Sequence, residues 1–372
     1  MMHQNERAVF DLRRGVPVII GPDEGEIDRT VLAWPLEAID IADWRHWLEA
    51  TGGQAALVLT QHRLRALGLD VRGEAATLAL NNPAAESAES WYAAACSEQP
   101  GKALPSPAAM RSASAPERAA LALMRRALLI PAALIIVLPA QRCRAVDEAV
   151  DTARFLRLST ATALRCFESG SGFLTRVSEA DVPLAEAAAS RFVLFREADG
   201  LREHVAVRIG KSEHWPDPVP VRLHSSCLTG DLFGSLRCDC GEQLQTAIAR
   251  IDALGGGVLL YLAQEGRGIG LANKLRAYAL QDSGHDTIDA DQLLGFGEDE
   301  RRYRVAVDLL AKLGITSIHL LTNNPAKIEA LRNGGIEVAE QDRLFGRVTR
   351  QNRRYLTAKA NRAGHLLDPL LD

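Results

Sequence analysis

Cys227, Cys238 and Cys240 stand within fourteen residues, in HSSCLTGDLFGSLRCDCGEQL, and make up half of the chain's six cysteines. Thiolates suit a soft divalent metal, and a structural zinc usually takes four protein ligands. Three thiolates with no obvious fourth ligand would instead hold zinc and leave a position for water, the layout of a catalytic site. Such a metal lowers the pKa of its bound water and supplies hydroxide at neutral pH. The plainer reading is three cysteines packed as small hydrophobes. Against it stand the polar neighbours His224, Ser225, Ser226, Asp231, Arg237 and Asp239, and glycines 230, 234 and 241. His224, three residues before Cys227, is either a fourth ligand or a substrate contact.

Three further stretches carry residues fit for chemistry. QEGRGIG (264–270) follows an apolar run and precedes a helical pattern, which sets backbone N–H groups and Arg267 where they could hold a phosphate. Its glycine spacing is not the dinucleotide fingerprint. LTNNPAK (321–327) repeats the device with Thr322 and Lys327 at a helix mouth. A plain turn and a plain cap are the competing readings. In GFGEDERRY (295–303) the acids suit the start of a helix and could be a solvated charge run. Asp299 could also take a proton, and Arg301 could grip a phosphate with its planar fork.

Elements must position these residues. VPVRLHSS reads as a strand entering the cysteine loop, and EQLQTAIARIDALGG as the helix leaving it, ended by glycines 255–257. VLLYLA (258–263) and SIHLLT (317–322) are buried strands, and FVLFREADGLREHVAVRIG is a hairpin turning at Asp199-Gly200. Helices follow from LANKLRAYALQDSG, from about 299–313 and from PAKIEALRNGG, the last capped by Asn324 with Pro325 in its first turn. IEVAE is a final strand. Upstream, strands are expected at 16–20, 55–60 and 133–138, and helices at 38–51, at QHRLRALG with Thr60 as cap, and after Ser114 with Pro116 in the first turn. The Pro-, Ser- and Ala-rich stretch 81–116 reads as an irregular connection, and 145–190 as helical.

The 372 residues suggest two domains, here 1–185 and 186–372, each α/β. The 47% apolar and 24% charged content is that of a soluble globular protein, and a net charge of −4 gives no footprint for nucleic acid. The start of the chain has no signal-type run, and the apolar run 127–140, broken by Pro131, is too short to span a membrane. Scattered cysteines suit a reducing cytoplasm, with thiols free for metal.

HSSCLTGDLFGSLRCDCG, YLAQEGRGIGLANKLRAYALQD, LLGFGEDERRY, LLTNNPAK and KANRAGHLL, in that order, closely resemble GTP cyclohydrolase II over about residues 192–367. The resemblance implies a mixed α/β domain that acts on GTP at the opening of riboflavin synthesis. It releases formate and pyrophosphate and leaves 2,5-diamino-6-ribosylamino-4(3H)-pyrimidinone 5′-phosphate. It implies one zinc per chain on Cys227, Cys238 and Cys240, and magnesium with the GTP phosphates. It places GTP against Arg222, Leu223, His224, Ser225, Ser226, Gln243, Glu265, Gly266, Arg267, Thr287, Thr322 and Lys327. Asp299 matches the proton acceptor, Arg301 the proposed nucleophile and Tyr278 a further active-site residue. Many members carry Glu where this chain has Ser226. A guanidinium stays protonated and is a poor nucleophile, so the residue chemistry gives Arg301 the task of stabilising charge on the α-phosphate.

LRRGVPVII, ALVLTQHRLRALGL and SASAPERA resemble pieces of 3,4-dihydroxy-2-butanone 4-phosphate synthase, an α/β enzyme often fused ahead of GTP cyclohydrolase II. Its acidic metal-binding signature is replaced by GPDEGEIDRTVL, with Ile27 in place of a metal-binding Glu and Glu26 in place of an Arg. ALIIVLPA offers no counterpart to the later metal-binding His. A magnesium site of carboxylates and histidine cannot be assembled from these. The expectation is a cytoplasmic homodimeric zinc enzyme behind a degenerate synthase-like domain, with GTP as partner and neither nucleic acid nor membrane. The alternatives are a bifunctional enzyme and an inactive GTP-binding sensor.

Overall fold

The computed structural model describes residues 2–22, 29–80, 83, 87–98, 110–139, 143–168, 174–346 and 349. The first half runs α1 (Met2–Arg13), β1 (Val18–Gly21), β2 (Val31–Pro35), α2 (Ile41–Thr51), β3 (Gln54–Thr60), α3 (Gln61–Ala66), β4 (Ala75–Ala79), α4 (Ala88–Cys96), β5 (Met110–Ser112), α5 (Ala115–Arg126), β6 (Ala132–Val137), α6 (Arg144–Asp151), β7 (Leu156–Ser159) and α7 (Thr160–Glu168). The second runs β8 (Thr175–Asp181), β9 (Ser190–Arg196), β10 (Glu203–Ile209), β11 (Val219–Ser225), α8 (Leu228–Asp231), α9 (Cys240–Ala253), β12 (Gly257–Leu262), α10 (Leu271–Asp282), α11 (Thr287–Leu293), α12 (Arg304–Lys312), β13 (Ser317–Leu321), α13 (Pro325–Asn333) and β14 (Glu337–Asp342). The expected α/β class holds. Two compact units result: Met1–Ser169 with Leu275–Asp299, and Gly170–Lys274 with Glu300–Asp372.

In the first unit a seven-stranded sheet has the order β5-β4-β3-β6-β2-β1-β7. Strand β6, AALIIV, is buried in its first five residues and lies between antiparallel β2 and β3, which is why it reads as an unbroken apolar run. Thr60 caps α3 as expected, its hydroxyl accepting from Arg63 N.

In the second unit the order is β14-β13-β11-β12-β10-β9-β8. Strands β14, β13, β11 and β12 run parallel, and β10, β9 and β8 antiparallel. Alternation along β12 serves both faces. Val258 and Leu260 join a core with Val305, Ala306 and Leu309 of α12, and Leu259 joins another with Ala247, Ile248 and Ile251 of α9. Parallel strands covered on both faces are the usual solution for such sequences.

Three sequence expectations are corrected. The stretch 81–116 contains α4, where Trp91 and Ala94 are fully buried and Trp91 meets Trp44 edge-on at 5.0 Å. The helical reading of 145–190 gives way to α6 and α7 interrupted by β7 and followed by β8. β7 pairs with β1, and β8 with β9. The helix of 299–313 begins only at Arg304, because backbone groups ahead of it are used elsewhere: Glu300 N donates to Arg267 O and Arg302 O accepts from Gln264 Nε2. A separate helix, α11, precedes that stretch. The positions 26, 27 and 359–367 lie outside the described residues.

Candidate functional site

Three of the motifs found in the sequence follow the carboxyl ends of three neighbouring parallel strands. The cysteine loop leaves β11 at Ser225, the glycine turn leaves β12 at Leu262, and TNNPAK leaves β13 at Leu321. In open α/β sheets that edge is where ligands bind.

Residues 226–240 turn back so that the sulfurs of Cys227, Cys238 and Cys240 lie within 4.8 Å of one another, with Cys227 Sγ 3.7 Å from Cys238 Sγ. No cysteine is in a disulfide. Gly230 makes the convergence possible: a Cβ there would meet Cys238 Sγ at 2.7 Å and Cys227 Sγ at 3.1 Å. Hydrogen bonds from Cys238 and Cys240, and then the nearby Lys274 ammonium, hold the Cys227 thiol far below its ordinary range, while Cys238, sharing its proton with that thiolate, is pushed up. Three convergent sulfurs, one of them readily ionised, are a donor set that fits a divalent metal.

The loop is anchored by a buried carboxylate. Asp231 accepts from Cys227 N at 2.9 Å and from the Tyr261 hydroxyl at 2.8 Å, and lies 3.2 Å from His224 Nε2. The His224 ring stacks on Tyr261 with centroids 5.6 Å apart. Burial lowers the His224 pKa, against the pull of Asp231, and raises that of Tyr261. His224 thus turns its Nε2 toward Asp231.

Lys274, 8% exposed, donates to Cys227 Sγ at 3.1 Å, to Thr229 Oγ1 at 2.9 Å and to Glu265 Oε1 at 2.7 Å. The other oxygen of Glu265 accepts from Leu228 N at 2.6 Å. Lysine and glutamate therefore tie the glycine turn to the cysteine loop. Within that turn Gly266 and Arg267 both have left-handed backbone, at φ 61 and 60°. Gly268 admits no side chain, since a Cβ would meet Glu300 O at 2.7 Å.

Arg222 is buried, donating to Leu321 O at 2.8 Å and Gln243 Oε1 at 2.7 Å, and its burial brings its pKa down to about 10. Lys327 donates to Leu223 O at 2.7 Å. Thr322 Oγ1 accepts from Asn324 N at 3.1 Å, and Asn324 caps α13 as expected. The Arg301 guanidinium lies 5.5 Å over the Tyr303 ring, and Lys327 Nζ 5.9 Å over the same ring. Ser225 Oγ and Gln264 Oε1 are buried without a hydrogen-bond partner among the described residues. Ser226, next to Ser225, donates its N–H to Leu262 O at 2.8 Å. Tyr278, Thr287 and Asp299 belong to the first unit, on α10, at the start of α11 and in the segment after it.

Residues 175–343 match the family model of GTP cyclohydrolase II. A GTP cyclohydrolase-2 of Xylella fastidiosa is 43% identical over 364 residues, covering 98% of this chain and 87% of that protein. The chain belongs to the GTP cyclohydrolase II family. A GTP cyclohydrolase-2 of Azospirillum brasilense is 41% identical over 369 residues, covering 98% of this chain and 94% of that one. This cyclohydrolase is accordingly an enzyme, a hydrolase acting on GTP. A solved two-domain 3,4-dihydroxy-2-butanone 4-phosphate synthase from A. baumannii covers 91% of this chain and 98% of its own at 17% identity and a TM-score of 0.35, too distant a likeness to support an inference. No helix among the described residues is long and apolar enough to cross a membrane.

Sequence reasoning missed Lys274 and gave Asp231 no role beyond that of a polar neighbour. A lysine beside Asn273, on the buried side of α10, was the available signal: both are under 9% exposed in a helix whose neighbouring Leu275 is 51% exposed.

Proposed function

We propose that this cyclohydrolase holds one zinc ion per chain on Cys227, Cys238 and Cys240. It converts GTP to 2,5-diamino-6-ribosylamino-4(3H)-pyrimidinone 5′-phosphate, formate and diphosphate. The supporting observation is the convergence of three sulfurs within 4.8 Å at the carboxyl end of β11. Zinc, when bound, supplies Lewis-acid activation for the ring hydrolysis. Carbon C8 leaves as formate once its bonds to N7 and N9 are both hydrolysed, and a separate hydrolysis cuts the bond between the α- and β-phosphates.

The chain's own residues divide the remaining work. Ser225 Oγ and Gln264 Oε1 offer hydrogen bonds to the substrate. Arg222 and Gln243 hold one another and carry the carboxyl ends of β11 and β13, so they shape the GTP site. Glu265 and Gly266, beside Lys274, set the turn, and Arg267 and Lys327 bring positive charge to the phosphates together with magnesium. Thr287 and Thr322 offer hydroxyls, Asp299 accepts a proton, Tyr278 contacts the substrate, and Arg301 stabilises charge on the α-phosphate. The division of labour is 1–185 for a synthase-like domain without synthase activity and 186–372 for the cyclohydrolase. The enzyme works as a homodimer, in the cytoplasm and without nucleic acid; the free thiols and the net charge of −4 support the last two points.

The test is to incubate the full-length protein with GTP labelled at C8. Labelled formate and diphosphate should both appear in step with GTP loss. Binding of GTP with no formate would reject the reading in favour of an inactive sensor.

A further inference from the structure

The segment Leu275–Asp299 carries Tyr278, Thr287 and Asp299, yet it folds into the first unit with residues 1–169. Contacts of Arg63, Thr60 and Arg276 are among those that hold it there. Arg63, 1% exposed, donates to Ala94 O at 2.9 Å, Ser97 O at 2.7 Å and Ala93 O at 3.2 Å around the end of α4, and to Leu293 O at 2.9 Å at the end of α11. One buried cation thus satisfies the carbonyls that two helices leave open at their negative ends. The Thr60 hydroxyl donates to Gly295 O at 2.7 Å. Gly295 has φ 86°, and a Cβ there would meet Thr60 Oγ1 at 3.2 Å and Pro131 Cγ at 3.3 Å, so that only glycine suits this close approach. Arg276, two residues before Tyr278, pairs with Glu37 at 2.7 Å, and the other oxygen of Glu37 accepts from Ile130 N at 2.5 Å.

Each contact falls close to an assigned site residue in the sequence. Arg276 precedes Tyr278, Leu293 ends the helix that Thr287 opens, and Gly295 lies four positions before Asp299. We propose that the first unit acts in the cyclohydrolase reaction as a holder for Leu275–Asp299, with Arg63, Thr60 and Glu37 as positioning residues. This rests on the proposed function only for the roles of Tyr278, Thr287 and Asp299. It also gives the first domain a task that needs no synthase chemistry. A displacement of reacting groups by about 1 Å can cost about a hundredfold in rate, so loosening the segment should be read in kcat.

The experiment uses the full-length chain with Thr60→Val, Thr60→Ser and Arg276→Met. Amide hydrogen exchange over 275–299, zinc content and GTP turnover are measured on each. Thr60→Val and Arg276→Met should speed exchange in that segment, leave zinc content at the wild-type level and lower kcat about tenfold or more. Thr60→Ser, which keeps the hydroxyl, should restore both exchange and kcat. Arg276 is partly exposed, so its variant keeps the test open if Thr60→Val does not fold. Faster exchange with unchanged kcat, or unchanged exchange, would overturn the proposal. Wild-type protein that does not turn over GTP would reject the proposed function instead, and the exchange data would still report whether the segment is held.

Discussion

The Lys274 ammonium lies 3.1 Å from the sulfur of Cys227 and 2.7 Å from a carboxylate oxygen of Glu265. A buried cation between a thiolate and a carboxylate offsets the negative charge that three cysteines would concentrate around a metal. It also makes the glycine turn and the cysteine loop one hydrogen-bonded body.

Lys274→Met should weaken zinc binding by about tenfold to a hundredfold, the usual effect of removing a partner of a metal ligand. Competition with a chromogenic chelator measures this directly. Unchanged zinc affinity would show that Lys274 serves the fold alone.

His224 gives a pH dependence. Its pKa is lowered by burial, against Asp231 and in the company of Arg222 and Lys327. The folded state therefore binds less proton at this site than the unfolded state below the ordinary value of 6.5. The stability contribution is complete above that pH and is lost as the pH falls through the window beneath it. Denaturant midpoints at several pH values should fall between neutrality and mild acid, and His224→Gln should flatten that slope. Parallel slopes for wild type and variant would refute the assignment.

Arg301→Ala should stop diphosphate release while zinc content stays at the wild-type level. Arg301 lies over the Tyr303 ring, whereas Thr229, Cys238 and Lys274 contact the Cys227 sulfur. Metal analysis beside a diphosphate assay separates the two effects. Normal turnover in the variant would remove Arg301 from the mechanism.

Much of this site was legible because local chemistry marks it. The cysteine spacing, the hairpin at Asp199-Gly200 and the Asn324 cap each follow from residues adjacent in sequence. What could not be read depends on distant partners. Every residue of β8 is exposed, so TRVSEAD carries no apolar alternation, and its strand state comes from backbone pairing with β9. The helix start expected in the Glu298–Arg302 run moves to Arg304 because Gln264 and Arg267 claim backbone groups of that run. Nothing local in LLGFG announces that Leu293 and Gly295 are held by Arg63 and Thr60, more than two hundred positions earlier.

The full-length protein should not convert ribulose 5-phosphate. The magnesium site that the synthase resemblance implies takes carboxylates and a histidine, and ALIIVLPA, which forms most of β6, supplies neither. Product analysis by mass spectrometry is the check. Formation of dihydroxybutanone phosphate would establish a bifunctional enzyme.

The central claim is that three cysteines hold the metal that opens the GTP ring. Zinc content and formate release should be measured on wild-type protein and on Cys238→Ser in parallel. The account predicts about one zinc per chain in the wild type, as three thiolates require, and loss of zinc and formate together in the variant. A variant that still releases formate at the wild-type rate would contradict it.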